Sequence, residues 1–444
     1  MKPEIKEKIT ATNQKYLKKF LTEEAPAKLE SQLEHMDWSY LDMIHNKEQQ
    51  RGTFSPLAAM ELSEIEANKD KYLATGLDAV KNGKVGAILL AGGQGTRLGF
   101  DKAKGMFNIG KTKELYIFEQ LVANLMKVTN QTGTWVPLYV MTSEINDGMT
   151  REFFEEHDYF GYNKDYVKFF VQEMVPAVDF DGNLLMKSED SLAMSPNGNG
   201  GWFKSLINAG LDKDLKDKGV EWLNVFAVDN VLQQIADPVF VGATIESGCV
   251  SGSKVVRKCD PYERVGAMCL ENGKPSIVEY YELTPEMAEA KNENGSLQYG
   301  FGVILNYLFR VDKLMAIAEK SLPLHVVEKK VPYIDENGTE HKPETPNAYK
   351  FETLILGEVE DGLLDGGENL LGRVIGLDLP HDVLIVLYFR VPDDIRIRVA
   401  ALLGEALRGI DAVVLFERLQ NGLCLYGVQR VTHAESLLIE LSSP

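Results

Sequence analysis

The chain has 444 residues, with 66 acidic against 47 basic side chains, a formal net charge of −19, 44% hydrophobic and 25% charged residues. That length holds two or three domains with a sizeable core, and the composition is that of an ordinary globular protein. A field this negative repels nucleic acid and anionic membranes, so neither is expected as a partner, and an anionic substrate needs a local cationic pocket.

No run approaches the roughly 18 apolar residues of a membrane span. The first residues, Met-Lys-Pro-Glu-Ile-Lys-Glu-Lys, lead into no apolar segment and read as no signal peptide. Cys249, Cys259, Cys269 and Cys424 form no Cys-x-x-Cys pair. Their spacing suits neither a zinc site nor a disulfide framework, and a reduced, cytoplasmic protein is the simplest expectation.

In chain order, residues 1–80 are rich in Lys, Glu, Leu and Ala and read as a helical region, with helical spacing over 16–33 and 56–76. Val85 to Ala91 is a short apolar run that suits a buried strand. It enters Gly92-Gly93-Gln94-Gly95-Thr96-Arg97, with Lys102 and Lys104 close behind. Glycines let a backbone approach a ligand closely, and successive N–H groups in such a turn form an anion-binding concavity. No P-loop is present, and a dinucleotide fingerprint started at Gly93 fails because its third glycine position is Leu98.

Beyond the glycine turn, strands are expected at 136–141, 167–172 and 222–228, and helices at 114–128, 149–156 and 202–217. This alternation implies an α/β fold with a mostly parallel sheet, whose ligands bind outside the carboxyl ends of the strands. Gly92 to Arg97, Gln172 and Asp229 all fall at such ends. The composition then breaks. All lysines precede residue 351, and the basic residues of 351–444 are arginines only. A separate small α+β domain is expected over 353–444, with a strand at 382–391, a helix at 394–408 and a hairpin at Asn421-Gly422.

Further motifs follow in order: Met141-Thr142-Ser143, Gln172-x3-Pro176, Pro196-Asn197-Gly198-Asn199-Gly200-Gly201, Val228-Asp229-Asn230, Glu263-x-Val265-Gly266, Val278-Glu279-Tyr280, and 324–335 with its Lys329-Lys330 pair. Together with Gly-Gly-x-Gly-Thr-Arg-Leu they resemble the eukaryotic-type UDP-sugar pyrophosphorylases, nearest to the UDP-N-acetylhexosamine branch, over roughly 84–352. The resemblance implies a Rossmann-like nucleotidyltransferase domain over 81–352. It implies a reaction in which the phosphate of a sugar 1-phosphate attacks the α-phosphorus of UTP and pyrophosphate leaves.

Residue by residue, it implies catalytic roles for Arg97 and Lys104. Ala91, Gly92, Gly93, Gln172, Gly198 and Asn199 would contact the nucleotide. Gly266, Glu279, Asn306 and Lys329 would contact the sugar phosphate, and Asp229 would hold Mg²⁺. Each fits its part chemically: cations neutralise a triphosphate, a carboxamide can pair with a uracil edge, and a carboxylate is a hard ligand. Four positions depart from the family pattern. Ala103 stands for the Pro before Lys-Gly, Val303 for a sugar-contacting Asn, Leu354 for a Phe, and no lysine follows Lys350. Three of the four lie on the sugar-phosphate side. They leave open a UTP-binding protein with weak or lost catalysis.

Overall fold

The computed structural model describes residues 1–44, 52–198, 200–318 and 324–353, and the backbone of three further strands, Val374–Gly376, Leu384–Val391 and Ile395–Leu402. The chain opens with α1 (Pro3–Ala11), a 3₁₀ turn over Lys15–Leu21 and α2 (Ala27–His35). Pro26 splits the helix expected across 16–33, because proline lacks the N–H and clashes with the preceding turn. The stretch 56–76 likewise divides into two short strands, Phe54–Pro56 and Ala59–Met60, followed by helices Leu62–Ala67 and α3 (Lys69–Lys81).

The core of the molecule alternates as the sequence predicts: β1 (Val85–Leu90), α4 (Ile117–Thr132), β2 (Leu138–Thr142), α5 (Asp147–Glu156) and β3 (Val167–Val171). The helix expected over 202–217 is two helices, α6 (Trp202–Asn208) and α7 (Leu211–Lys218), separated where Gly210 turns left-handed at φ +72°. Next come β4 (Trp222–Ala227), α8 (Pro238–Glu246), β5 (Ser251–Arg257), β6 (Ala267–Glu271), β7 (Lys274–Val278) and β8 (Phe301–Arg310).

The strand order β5-β8-β4-β1-β2-β3 is parallel from β4 to β3, while β8 runs antiparallel to both its neighbours. All six residues of β1 and all six of β4 are buried. Strands buried on both faces read as continuous apolar runs, which is why these two are visible in the sequence. One face packs under α3, α4 and α8, the other under α6 and α7.

The N-terminal helices do not form a core of their own. Ile5, Leu17, Leu29 and Leu33 pack with Val175, Leu184, Leu192 and Phe351, residues of small sheets far along the chain. In the tail, the helix expected at 394–408 is a strand over Ile395–Leu402, paired antiparallel with Leu384–Val391. Its alternation of Ile395, Ile397 and Val399 with Arg396 and Arg398 has a period of two, not 3.6. Val374–Gly376 joins the central sheet beside β5. Leu354 and the Asn421-Gly422 hairpin lie outside the described residues.

Candidate functional site

The strand order reverses at β1. The chain winds from β1 outwards to β3, then returns to place β4 on the other side of β1. Neighbouring connections therefore leave in opposite directions and open a crevice at the carboxyl ends of β1 and β4. The glycine loop leaves β1 into this crevice. It folds back on itself: Gly95 N–H donates to Lys102 O at 2.9 Å, and Lys104 N–H to Gly93 O at 3.1 Å. Lys104 thereby returns to the mouth of the loop. Among the described residues, the N–H groups of Gly92 and Gly93 have no hydrogen-bond partner. Arg97 is exposed on the same loop and likewise pairs with no described residue.

Asp229 leaves the end of β4 and meets Lys104 across the crevice in an ion pair. The lysine side chain is 18% exposed and the carboxylate 63%. Gln172, at the end of β3, lies beneath Gly92: a Cβ there would fall 2.8 Å from Gln172 Nε2 and push the carboxamide aside. Most of Gln172 is buried, but its carboxamide atoms stay accessible and bond to no described residue. A donor and an acceptor are thus held ready beside the free backbone amides.

Two positioning groups escaped the sequence reading. Asn146 is fully buried and ties the two strand ends together, donating to Ala91 O at 3.0 Å and accepting from Ser143 N–H at 2.7 Å. Ala91 also donates its N–H to Met141 O, so both its backbone groups are engaged, unlike those of the two glycines. Glu173 accepts from Asn197 Nδ2 at 3.0 Å and pairs with Lys204 at 3.3 Å, fixing the Pro196–Gly198 turn beside Gln172. Burial, and then the charges of Glu173 and Asp37, push the neighbouring Tyr40 hydroxyl above its ordinary range. Gly198 sits in this turn at φ +71°. Asn199 lies outside the described residues.

A second group gathers on the other side of β4. A Cβ on Gly266 would lie 2.8 Å from Ile277 Cγ2, 3.4 Å from Glu279 Oε1 and 3.4 Å from Val303 Cγ2. Gly266 O accepts from Val303 N–H at 2.9 Å. Burial, with the Glu279 charge second, holds the Tyr307 hydroxyl above its ordinary range. Gly266, Glu279, Val303 and Tyr307 therefore form one wall. A cavity of about 400 Å3 is lined by Pro261, Tyr262, Arg264, Tyr280 and Leu283, and none of the four wall residues lines it.

Asn306 and Lys329 are not part of that wall. Asn306 is completely buried, with its carboxamide bonded to Asn224, Gln233 and Gln234. Its chain neighbour Tyr307 faces the opposite side of the sheet, while Asn306 bonds into the 233–234 loop. The sugar contact expected of it is therefore not available. Lys329 is exposed at the end of a strand in a separate sheet with 348–353, and no hydrogen bond or ion pair joins it to the Glu279 wall.

Comparison with known proteins agrees with this architecture. The profile of the UTP–glucose-1-phosphate uridylyltransferase family matches residues 18–354. The chain belongs to that family. It is 41% identical to UDP-N-acetylhexosamine pyrophosphorylase-like protein 1 of Xenopus tropicalis over 65% of this chain and 58% of that protein. It is 36% identical to the UDP-N-acetylglucosamine pyrophosphorylase of Saccharomyces cerevisiae over 77% of this chain and 73% of the yeast protein. The structure of uridine diphosphate N-acetylglucosamine pyrophosphorylase from Trypanosoma brucei, in complex with an inhibitor, superposes with a TM-score of 0.70 at 26% identity, covering 84% of this chain and 78% of that one. The chain thus spans under three fifths of the Xenopus relative's length. Glu279, Gly266 and the glycine loop all lie within the matched segment.

Proposed function

We propose that this chain is a uridylyltransferase that makes a UDP-sugar and pyrophosphate from UTP and a hexose 1-phosphate, with N-acetylglucosamine 1-phosphate the leading acceptor. The observation that carries the reading is the Lys104–Asp229 pair at the mouth of the glycine loop. The free carboxamide of Gln172, set against Gly92, supports uracil as the base, since a uracil edge needs one donor and one acceptor. The acceptor is inferred from the names of the yeast and trypanosome relatives.

In this reading an oxygen of the sugar phosphate attacks the α-phosphorus of UTP. One P–O bond forms, the bond to the β-phosphate breaks, and the electron pair leaves with pyrophosphate. No proton need move, so the protein acts by positioning and charge neutralisation. The Gly92 and Gly93 amides receive phosphate oxygens, Lys104 leaves Asp229 for the charge growing at the α-phosphorus, and Arg97 neutralises the triphosphate. Glu279 accepts from sugar hydroxyls, with Gly266 leaving room beside it.

Mg²⁺ is the expected cofactor. Among the described residues no three His, Cys, Asp or Glu side chains cluster as a metal cage. A single exposed carboxylate suits Mg²⁺, which takes one or two carboxylates and completes its shell with water and substrate phosphates. Asp229 would hold it, and the ion would add positive charge at the phosphates. No helix among the described residues is long and apolar enough to cross a membrane. Among the described residues, Cys249, Cys259 and Cys269 form no disulfide, which suits a reducing, cytoplasmic setting. The test is pyrophosphate release from UTP and Mg²⁺ with a panel of sugar 1-phosphates. Turnover is expected with the N-acetylhexosamine phosphates first. UTP binding by calorimetry with no turnover on any acceptor would instead establish a binding protein.

A further inference from the structure

Asp229 lies on the surface, yet the loop that carries it is anchored from below. Residues 233–237 are largely buried, and four neighbouring elements grip them. From β4, Asn224 accepts the Ala236 N–H at 2.7 Å. From β8, Asn306 donates to Gln233 Oε1 at 3.0 Å and to Gln234 O at 3.3 Å. From α4, Asn124 donates to Val231 O at 2.9 Å and Gln233 O at 3.1 Å. From β5, Lys254 pairs with Asp237 at 2.7 Å and reaches Gln234 O at 3.3 Å.

These groups also bond to one another. Asn224 Nδ2 donates to Asn306 Oδ1 at 2.8 Å, and Gln233 Nε2 returns to Ala227 O, the last residue of β4, at 2.8 Å. None of these amides is left unsatisfied. Ala236 is held at φ +49°, a conformation a non-glycine residue keeps only when its surroundings over-determine it. A buried polar lattice in which every side-chain amide atom has a partner selects one arrangement of the chain rather than many.

We infer that the Asn224–Asn306–Gln233 lattice, closed by the Lys254–Asp237 ion pair, is a positioning device that fixes Asp229 opposite Lys104. The inference rests on reading that pair as the reacting centre. Asn306, expected from its motif to touch the sugar, acts instead through the loop on the far side of the sheet. The lattice converts a surface carboxylate into one with a set position, without covering it.

The test uses the full chain with Gln233→Met, which keeps the shape of the side chain and removes both of its hydrogen bonds. Asn306→Asp, nearly isosteric, is the second arm. Tyr139→Phe, which removes a hydroxyl bond to Asp214 on the opposite face of the sheet, is the control. Hydrogen exchange of the peptide spanning 228–236 should quicken at least fivefold in both lattice variants and not in the control. Turnover should fall about tenfold with the KM for UTP changing less than threefold. In the Asp229→Ala background, Gln233→Met should add less than a twofold further loss. Unchanged exchange at 228–236, or losses that multiply in the Asp229→Ala background, overturns the inference. If Asp229→Ala alone turns over like the wild type, the reading of the reacting centre fails, while the exchange result still decides whether the lattice holds the loop.

Discussion

The two sides of the crevice are built differently. The side proposed for the nucleotide is made by one contiguous segment, residues 91–104, closed by two side chains from neighbouring strand ends, Gln172 and Asp229. Its donors are backbone amides, whose direction is fixed by the turn. The acceptor side is assembled from three separate strands and a loop: Gly266, Glu279, Val303 and Tyr307 meet only through the register of β6, β7 and β8. A site made of backbone tolerates change in the side chains around it. A site made by register changes its lining with each substitution, and Val303 is one such lining residue.

That contrast can be broken by substitution. Lys104→Ala should cost about 10²–10³ in turnover, as removal of one charge-stabilising donor does elsewhere. A loss under threefold in a pyrophosphate-release assay would show that the glycine loop is not the reacting side. Glu279→Gln should raise the KM for the sugar 1-phosphate about 10–100-fold, since a hydrogen bond to a charged group contributes roughly 1.5–3 kcal/mol. UTP affinity should stay unchanged by calorimetry, and a parallel loss of UTP binding would mean that the two sides are one. Gln172→Ala should weaken UTP about tenfold and flatten the preference for UTP over CTP, with the sugar KM unmoved.

The smallest effect lies away from both sides. The Asp335 carboxyl is pulled down to about 2, first by the His341 ring and then by the Thr339 and Asn337 amides. Its folded value is below the ordinary one, so its stabilisation is full above about pH 4 and is lost as pH falls through about 2. Asp335→Asn should lower the melting temperature slightly at neutral pH, and the gap from wild type should close between pH 4 and 2. A gap that widens in acid would contradict the assignment of Asp335 as organiser of the 335–341 turn.

Much of the nucleotide side was legible because each of its residues directly follows an apolar strand. Gln172 follows β3, Asp229 follows β4 by one residue, and the glycine turn follows β1. The acceptor side was only half legible. Asn306 was misread because the strand is irregular between Val303 and Tyr307, with Leu305 at φ +53°, so its face cannot be counted from the motif. Asn224 carried a signal that went unused: an amide inside a strand that is otherwise apolar and buried on both faces must be hydrogen-bonded to something. Glu173 and Asn146 left no comparable mark, since polar residues just past a strand end are common and only tertiary contacts show which of them hold the site. Pro26 and the period of two at 395–399 were local signals that composition masked.

The shared packing of the first helices has a consequence for synthesis. Ile5, Leu17, Leu29 and Leu33 pack with a surface of which part, including Val331, Tyr349 and Phe351, leaves the ribosome about three hundred residues after them. At about 5–20 residues per second, this apolar set waits on the order of 15–60 s for its partners. Nascent chains stalled before residue 331 should therefore hold chaperones at their N-terminal end, and those extended past 353 should release them.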